Sequence, residues 1–297
     1  MISSLDCVVC LQRQCLEAAR FASSDPEVQR KILEETMRTY LELGLTTSPP
    51  VAGSIVHRNV RKITGNADPY YQEKKRFNRL ALERWDVFKK WIRDSSDPFE
   101  TTIRLAIAGN SIDFALEDIS EERVTRMINQ ATTQRLVGDL NALRKAFEES
   151  PSILYLTDNA GEIVYDKLLV ELLISPEFRR NVTVVTRGAP IINDALLEDA
   201  REVGLTDIVP VITNGGDGLG TIFDLTSDEF KERFTSADLV VAKGLANLES
   251  LWRTPPEFTP KKIAFLFKAK CRFIAEAVGA ETGDLCVQIR PTARETP

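Results

Sequence analysis

The residues with the clearest chemical potential come directly after short apolar runs in the second half of the chain. In "SILYLTDNAGEIVYDKLL", residues 152–169, an apolar run stops at the acid Asp158 and the amide Asn159 before a helical pattern begins. Arg187 follows "VTVVT" and Lys243 follows "DLVVA" in the same way. Carboxylate and amide oxygens suit a hard cation such as Mg²⁺ or Mn²⁺, whereas arginine and lysine suit phosphate oxygens. Together these residue types indicate a metal-assisted phosphate site.

A divalent cation needs a second acid at the same place. The run "RGAPIINDALLEDA" offers Asp194 shortly after the second apolar run, and the neighbouring Asn193 could serve instead. We therefore predict a cation site formed by Asp158, Asn159 and Asp194.

Each of these residues also has a purely structural interpretation. Asp158 or Asn159 could cap the following helix, with Glu162 completing a capping box. Asp194 could be an ordinary first-turn acid favoured by the helix dipole, and Lys243 could be a solvated residue. Helix capping does not explain why all these residues should share one edge of one sheet. Pattern and spacing alone nevertheless leave both the structural and the metal-site interpretation open.

The elements that must position these residues change character near residue 150. Before it, runs such as "PEVQRKILEETMRTYLEL" and "ATTQRLVGDLNALRKAFEES" carry apolar residues three or four positions apart, which is typical of helices. After it, helical runs alternate with the β-rich runs "ILYLT", "VTVVT", "IVPVI", "DLVVA", "KIAFLF" and a weaker "LCVQI". We predict an α/β protein with an all-helical N-terminal domain over residues 1–149. Residues 150–297 should form an α/β/α sandwich with a mostly parallel, Rossmann-like sheet. Ligands of such sheets bind beyond the carboxyl ends of the strands, so we expect the active site between the two parts.

Composition limits the classes of function. The 297 residues carry a formal net charge of −6, so a broad nucleic-acid-binding surface is not expected and an anionic ligand must be met locally. No apolar run is long enough to span a bilayer, and "MISSLDCVVCLQRQ" lacks the features of a signal peptide. Five cysteines without regular spacing fit reduced thiols. We therefore expect a cytoplasmic protein that binds a small molecule and has no nucleic-acid or membrane partner.

The run "DNAGEIVYD" closely resembles the signature of the damage-control phosphatase family, metal-dependent phosphatases once catalogued only as a domain of unknown function. Five further stretches occur in the order expected for that family: "VHRNVRKITGNADPYYQEKKRFN", "AGNSID", "RGAPIINDA", "SADLVVAKGLANLES" and "KAKC". Cys7, Cys10 and Cys271 resemble its mainly prokaryotic branch, and the likeness spans residues 7 to 271. It implies a phosphatase for sugar phosphates or damaged phosphometabolites that uses one divalent ion, namely manganese, cobalt, nickel or magnesium.

The resemblance also implies roles for individual residues. The cation would be held by Asp158, Asn159 and Asp194, the same three that the strand ends indicate. Lys243 would face the phosphate, with Asn247 close by.

The resemblance also implies that Asn110 and Asp113 of "GNSID", in the helical part, form one wall of the substrate site. One motif departs from the family pattern, because "KGLANLE" stands where "KGQGNYE" is expected. Leu245, Ala246 and Leu248 should therefore alter the pocket wall, which affects the substrate more than the chemistry.

The expected reaction transfers a phosphoryl group to water. The cation would coordinate one phosphoryl oxygen, and Lys243 with Arg187 or loop amides would offset charge that develops on the others. The nucleophile is either a water activated by the cation or the Asp158 carboxylate, which would form an aspartyl-phosphate. The sequence leaves both open. Glu162, one helical turn from Asp158, could orient a ligand or a water molecule besides its capping role.

Two further groups invite separate hypotheses. Cys7, Cys10 and Cys271, with Cys15 nearby in sequence, could form a second metal site or a redox site. They could equally be buried small hydrophobes, because a full pair of CxxC motifs is absent. His57, the only histidine, could line the active site or be an ordinary helix histidine, and it excludes histidine-rich metal sites.

Functions from other classes compete with the phosphatase hypothesis. "GGDGLG" could belong to a nucleotide-binding module, although it follows the third strand and lacks the GxGxxG order. The same polar rim could bind a phosphorylated ligand without turning it over. An interaction protein built on the helical half is the third alternative, although runs such as "EKKRFNRLALERWDVFKKWIR" are more simply explained as solvated helix surfaces.

Overall fold

The computed structural model describes residues 4–44, 46–109 and 133–291, and twelve α-helices and seven strands lie within these ranges. The helices are α1 (Leu5–Ala22), α2 (Pro26–Leu43), α3 (Pro49–Thr64), α4 (Tyr71–Leu82), α5 (Trp85–Asp94), α6 (Pro98–Ala108), α7 (Leu140–Glu149), α8 (Glu162–Ile174), α9 (Leu197–Glu202), α10 (Asp228–Ser236), α11 (Gly244–Leu251) and α12 (Arg272–Val278). The strands are β1 (Leu136–Val137), β2 (Ser152–Leu156), β3 (Asn181–Thr186), β4 (Val211–Thr213), β5 (Leu239–Lys243), β6 (Lys262–Lys268) and β7 (Leu285–Pro291).

Prolines and short acids mark where the N-terminal helices begin. Pro26, Pro49 and Pro98 each lie in the first turn, where the missing N–H costs no intrahelical hydrogen bond. Asp25 and Asp97 cap α2 and α6 by accepting backbone N–H bonds through their carboxylates. The punctuation visible in the sequence therefore starts helices as well as separating them.

The seven strands form one sheet in the order β1-β7-β6-β5-β2-β3-β4. Strand β2 pairs in parallel with β3 on one side and with β5 on the other, so Leu156 lies between Val185 and Ala242. The chain moves outward from β2 to β4 and then returns to the opposite side of β2 at β5. Such a reversal of strand order opens a crevice at the carboxyl ends of the two strands that flank it. The predicted α/β class with a mostly parallel sheet is confirmed, and β7 runs antiparallel to β6.

Helices cover both faces of the sheet, and the hydrophobic residues form three clusters. One face packs against α6, α7 and α8, with α4 and α5 outside them, and the other face packs against α10, α11 and α12. Helices α1, α2 and α3 form a third cluster around Cys15 and Ile32. Helix α8 has apolar residues on every side and is largely buried, and its charged residues Glu162 and Asp166 are buried with it. Within the described residues, no helix is both long and apolar enough to cross a membrane.

One segment departs from the expectation of an all-helical N-terminal part. The run "ATTQRLVGDLNALRKAFEES" is predicted as one helix, but Leu136 and Val137 form β1, which pairs with β7. Gly138 adopts a φ of 133° immediately afterwards, and Asp139 then caps α7. Sheet structure therefore begins before the predicted boundary at residue 150, because a partner strand distant in sequence outweighs the local helical pattern.

Candidate active site

Asp158, Asn159 and Asp194 converge at the switch point between β2 and β5. The main chain after β2 pairs with the main chain around Asp194: Ala195 N donates to Asp158 O at 2.8 Å, and Ala160 N donates to Asn193 O at 2.8 Å. All three predicted ligand side chains are buried, with exposed fractions of 6%, 9% and 3%. Two segments that are 35 residues apart in sequence are thus fixed side by side through their backbones.

The capping interpretation of "DNAGE" does not describe helix α8. Within the described residues, its N-cap is Gly161, with no side-chain cap, and Asn159 bonds to the helix backbone through its carbonyl oxygen, which accepts from Ile163 N. Gly161 has a φ of 78°, and a Cβ there would lie 2.8 Å from Phe77 Cβ, so glycine is required. The side chains of Asp158 and Asn159 therefore serve another purpose than helix capping.

The Asn159 side chain has a defined orientation. Its Nδ2 donates to Asp158 Oδ2 at 3.0 Å and to Glu162 Oε2 at 3.3 Å. Because both amide protons point at carboxylates, the amide carbonyl oxygen Oδ1 is directed away from them. A carbonyl oxygen held in this way is a suitable ligand for a hard cation.

Asp158 sits against the backbone of Gly244 at the start of α11. Gly244 has a φ of 78°, and a Cβ at this position would lie 2.0 Å from Asp158 Oδ2. Burial raises the pKa of Asp158 well above its usual value, and the nearby carboxylates of Glu162 and Asp194 raise it further. Lys270 at the rim acts in the opposite direction. The site therefore concentrates negative charge that the surrounding protein does not fully compensate.

Arg187 joins the second acid to the opposite wall. Its Nε donates to Asp194 Oδ2 at 2.7 Å, and its Nη1 lies 3.5 Å from Asn247 Oδ1. Burial raises the pKa of Asp194, while this guanidinium acts to lower it. Among the described residues, Arg187 Nη2 is buried with no hydrogen-bond partner. An orphaned guanidinium donor beside a cation site is suited to a phosphate oxygen.

Lys243 lies deeper than a ligand-facing residue. Its Nζ is fully buried and donates to Ala106 O at 2.6 Å, Glu162 Oε1 at 2.7 Å and Asp166 Oδ1 at 2.6 Å. Burial lowers its pKa, but Asp166 and Glu162 outweigh that effect and raise it. All three ammonium donors are used within the protein, so the predicted contact of Lys243 with phosphate has no donor to support it in this arrangement.

Asn247 is likewise bonded within the protein. Its Nδ2 donates to Lys243 O at 2.8 Å and Thr157 O at 3.2 Å, and its Oδ1 accepts from Thr221 Oγ1 at 3.0 Å. With its contact to Arg187, this buried amide links β2, β5 and the Arg187 guanidinium. Its role in substrate binding stays a prediction.

The buried charges at this edge test whether a divalent cation fits. Four carboxylates are buried here, namely those of Asp158, Glu162, Asp166 and Asp194. Lys243 pairs with Glu162 and Asp166, and Arg187 pairs with Asp194. Buried Lys74 pairs with Asp68 and also acts on Asp194. The carboxylates outnumber the cations, so a bound divalent cation would offset the excess negative charge. Oxygen ligands from two of these acids and from Asn159 match the preference of Mg²⁺ and Mn²⁺.

The glycine-rich loop after β4 is packed against the helical part instead of forming an open phosphate cradle. Asn214 Oδ1 accepts from the N–H groups of Gly188 and Gly216, both at 3.0 Å. Asp217 accepts from Arg58 Nε at 2.8 Å and Arg61 Nη2 at 2.6 Å, which clamps the loop to α3. The backbone N–H groups of Gly188 and Gly216 are therefore already hydrogen-bonded within the protein.

The remaining predicted pocket residues divide into two groups. Leu248 is completely buried in the core beneath the sheet, so it cannot line the pocket, whereas Leu245 and Ala246 are half-buried. Asn110 and Asp113 lie outside the described residues. An effect of the altered "KGLANLE" motif on the pocket wall therefore stays a prediction for Leu245 and Ala246.

The cysteines predicted to form a second site are near one another. Within the described residues Cys7, Cys10 and Cys271 are free thiols, and burial raises the pKa of Cys10, with smaller contributions from Cys7 and Cys271. In the described ranges, no group of three or more His, Cys, Asp or Glu side chains is placed to hold a metal ion. A second metal or redox site at these cysteines stays a prediction.

His57 lies behind the loop that carries Asp194. It is buried and lines a cavity of about 10 Å³ together with Arg61, Tyr70 and Ile191, which is room for one water molecule. Among the described residues its Nε2 has no hydrogen-bond partner. Burial, together with the nearby charge of Arg61, lowers its pKa from 6.5 to about 3. His57 is therefore neutral and packs under the loop that contains Ile191 and Asp194.

We expect His57 to make the protein sensitive to mild acid. Because its folded pKa lies below the unfolded value of 6.5, its contribution to stability is complete above that pH and is lost as pH falls towards about 3. Between pH 6.5 and about pH 5, wild-type protein should lose about 1.5 kcal/mol more unfolding free energy than His57→Gln. Urea unfolding at both pH values measures this difference. Equal losses in the two proteins would show that His57 titrates normally.

Several residues of the site were not predicted from the sequence. Tyr155 and Asp166 complete the surroundings of Lys243, and Asn78 Oδ1 accepts from Gly161 N at 2.7 Å. One signal was available, because Asp166 follows Glu162 by four residues and so shares its helix face. The need for glycine at position 244 depends on a contact across the sheet, which no local pattern contains.

Comparison with known proteins decides the family. The family model of the damage-control phosphatase ARMT1-like domain matches residues 3–286. The chain belongs to this family. The chain is 32% identical over 293 residues to a damage-control phosphatase of Archaeoglobus fulgidus, which covers 95% of this chain and 97% of that protein. It is 32% identical over 285 residues to the damage-control phosphatase PH1575 of Pyrococcus horikoshii, covering 94% and 95%.

The fold of this damage-control phosphatase family member also matches a solved structure. The crystal structure of a DUF89 family protein, PH1575 of Pyrococcus horikoshii, superposes with a TM-score of 0.86 at 30% identity. The match covers 96% of this chain and 98% of that one. Another relative, an uncharacterized protein of Methanocaldococcus jannaschii, is 34% identical over 289 residues and covers 94% and 92%. Membership of the family supports a phosphatase role for the chain.

Proposed function

We propose that the protein is a metal-dependent phosphatase that hydrolyses phosphomonoesters of small metabolites, either sugar phosphates or damaged phosphometabolites. The observation that carries the proposal is the convergence of two buried acids and an oriented amide beside a buried arginine donor. Acids and an amide suit a divalent cation, and the arginine suits the phosphate that the cation would accompany. Family membership supports the same reaction.

Asp158, Asn159 and Asp194 would hold the cation. A bound divalent cation supplies positive charge to a phosphoryl oxygen, which favours attack at phosphorus. Manganese, cobalt, nickel and magnesium remain the candidate ions.

The chain's own residues would orient the phosphate and offset its charge. Arg187 is fixed by Asp194 and Asn247, so its third nitrogen, Nη2, is already held in place for a phosphoryl oxygen. Preorganised donors of this kind stabilise charge in the transition state because they need no reorientation. Lys270, exposed at the rim, adds positive charge near Asp158 and would attract an anionic substrate. Asp158 stays the candidate for the nucleophile if the reaction passes through an aspartyl-phosphate.

The proposal is tested by phosphate release from an aryl phosphate and a panel of sugar phosphates. Metal-stripped protein would be supplied separately with Mg²⁺, Mn²⁺, Co²⁺ or Ni²⁺, and turnover should require one of them. Arg187→Lys keeps the charge but loses the fork geometry, so kcat/KM should fall about a hundredfold, and Arg187→Gln should fall further.

A matched control shows what an arginine-to-lysine exchange does away from the site. Arg144 forms an exposed ion pair with Glu177, so Arg144→Lys should leave kcat/KM within about twofold of wild type. If calorimetry detects a bound ion but no metal restores turnover on any ester, the protein is a non-catalytic binder of phosphorylated ligands. Activity that persists without added metal in stripped protein would contradict the metal requirement.

A further inference from the structure

Behind the ligand Asn159, a continuous chain of buried hydrogen bonds runs into the core. Tyr155 OH donates to Asp166 Oδ1 at 2.7 Å, and the same oxygen accepts from Lys243 Nζ at 2.6 Å. Lys243 Nζ also holds Glu162 Oε1 at 2.7 Å, and Glu162 Oε2 accepts from Asn159 Nδ2 at 3.3 Å. The chain therefore links strand β2, helix α8 and strand β5 to one side-chain amide.

We propose that Tyr155 and Asp166 are positioning residues that set the orientation of the Asn159 amide through Lys243 and Glu162. This inference rests on the proposed role of Asn159 as a ligand to a divalent cation.

The orientation of Asn159 depends on where its two acceptors lie. An amide can rotate by half a turn and exchange its oxygen with its nitrogen, which would point a donor at the cation. Asp158 Oδ2 and Glu162 Oε2 accept from Nδ2 and so oppose that rotation. Asp158 is itself a proposed ligand, so Glu162 is the acceptor whose position is independent of the cation.

Glu162 in turn depends on Lys243. The Glu162 carboxylate is 3% exposed, and Lys243 Nζ binds one of its oxygens, which leaves the other directed at Asn159. The orientation of the Glu162 carboxylate therefore depends on how well the Lys243 ammonium is fixed.

Asp166 and Tyr155 fix the ammonium. Lys243 Nζ is surrounded by three acceptors, and Asp166 and Glu162 supply the two that are carboxylates. Both bonds to Asp166 fall on Oδ1, and among the described residues its buried Oδ2 has no hydrogen-bond partner. The Tyr155 hydroxyl is therefore the neutral donor that determines how this carboxylate is turned.

The test measures the dissociation constant of Mn²⁺ by titration calorimetry with the full chain. Tyr155→Phe changes no charge, yet it should raise the dissociation constant several-fold, and Asp166→Asn should raise it about tenfold or more. Asp238→Asn removes a carboxylate at the opposite edge of the sheet, where it binds Ser152 and Lys261, and should leave the constant unchanged.

The same substitutions in an Asn159→Ala background distinguish positioning from a general effect. If Tyr155 and Asp166 act through Asn159, neither substitution should weaken Mn²⁺ binding further once the amide is gone. An equal loss in both backgrounds, or a lower unfolding midpoint with an unchanged dissociation constant, would overturn the inference. Wild-type protein that binds none of Mn²⁺, Co²⁺, Ni²⁺ and Mg²⁺ would overturn it together with the proposed function. Wild-type protein that binds Mn²⁺ and hydrolyses nothing, but responds to Tyr155→Phe as expected, would leave the inference standing and contradict the phosphatase alone.

Discussion

Replacing Asp158 by asparagine should abolish phosphate release and at the same time stabilise the metal-free protein. The expected fall in kcat/KM is about a thousandfold or more, because the substitution removes a proposed cation ligand that is also one of the two candidate nucleophiles. Asparagine keeps an oxygen that can accept from Asn159 Nδ2, so the local packing should survive. The catalytic loss is measured by aryl phosphate hydrolysis at saturating Mn²⁺.

The gain in stability follows from the direction of the pKa shift of Asp158. Its folded pKa lies well above its usual value, so its contribution to stability is present at low pH and is lost as pH rises through the folded pKa. Asparagine does not ionise, so near pH 8 the metal-free variant should exceed wild type by about 1 to 2 kcal/mol in unfolding free energy. Saturating Mn²⁺ should reverse the order, because it stabilises only the protein that binds it.

A control with the opposite sign is available at Asp238. Lys261 and Ser152 lower the pKa of that carboxyl, so Asp238→Asn should destabilise the protein with or without Mn²⁺. Urea unfolding of the three proteins in both conditions gives the comparison. An Asp158→Asn protein that is less stable than wild type without metal would show that Asp158 is a structural residue.

The sheet and its ligand edge were predictable because they depend on patterns that lie within short segments. Six strands follow from β-rich runs, and the placement of Asp158, Asn159 and Asp194 follows from the rule that ligands collect at the carboxyl ends of parallel strands. The two-residue strand at Leu136 was missed because it depends on pairing with β7, about 150 residues away in sequence.

The depth of each polar side chain was not predictable. Lys243 and Asn247 follow a strand end just as Asp158 does, yet both are completely buried and bonded to the protein. Sequence periodicity indicates which edge of the sheet a residue reaches, whereas the covering helices determine whether it meets solvent. Helix α6 contributes the acceptor Ala106 O above Lys243, and no pattern near Lys243 contains that information.

Removing the ammonium of Lys243 should affect folding as strongly as catalysis. In Lys243→Met, the carboxylates of Glu162 and Asp166 would remain buried and close together without the cation between them. Breaking a buried ion pair from one side destabilises a protein by about 3 to 5 kcal/mol, since an uncompensated charge is left behind. Lys89→Met removes half of an exposed ion pair with Glu171 and should cost at most about 1 kcal/mol.

The pH dependence identifies the cause of that loss. Burial raises the pKa of Asp166 to about 6 even though Lys243 opposes the shift, so without Lys243 it should rise further. The destabilisation by Lys243→Met should therefore be large near pH 8 and shrink towards pH 5, as protonation removes the uncompensated charge. Adding Asp166→Asn to Lys243→Met should recover part of the loss at pH 8, because Glu162 is then the one former carboxylate partner of Lys243 that still carries a charge.

If Lys243 instead mainly contacts phosphate, a different result is expected. Its removal would raise KM and leave the unfolding free energy within about 0.5 kcal/mol of wild type at every pH. Unfolding of the purified single and double variants at both pH values distinguishes the two roles without any knowledge of the substrate. If Lys243→Met is as stable as wild type at pH 8, the buried contacts of Lys243 do not describe its function, and the direct contact with phosphate that the motif implies becomes the better explanation.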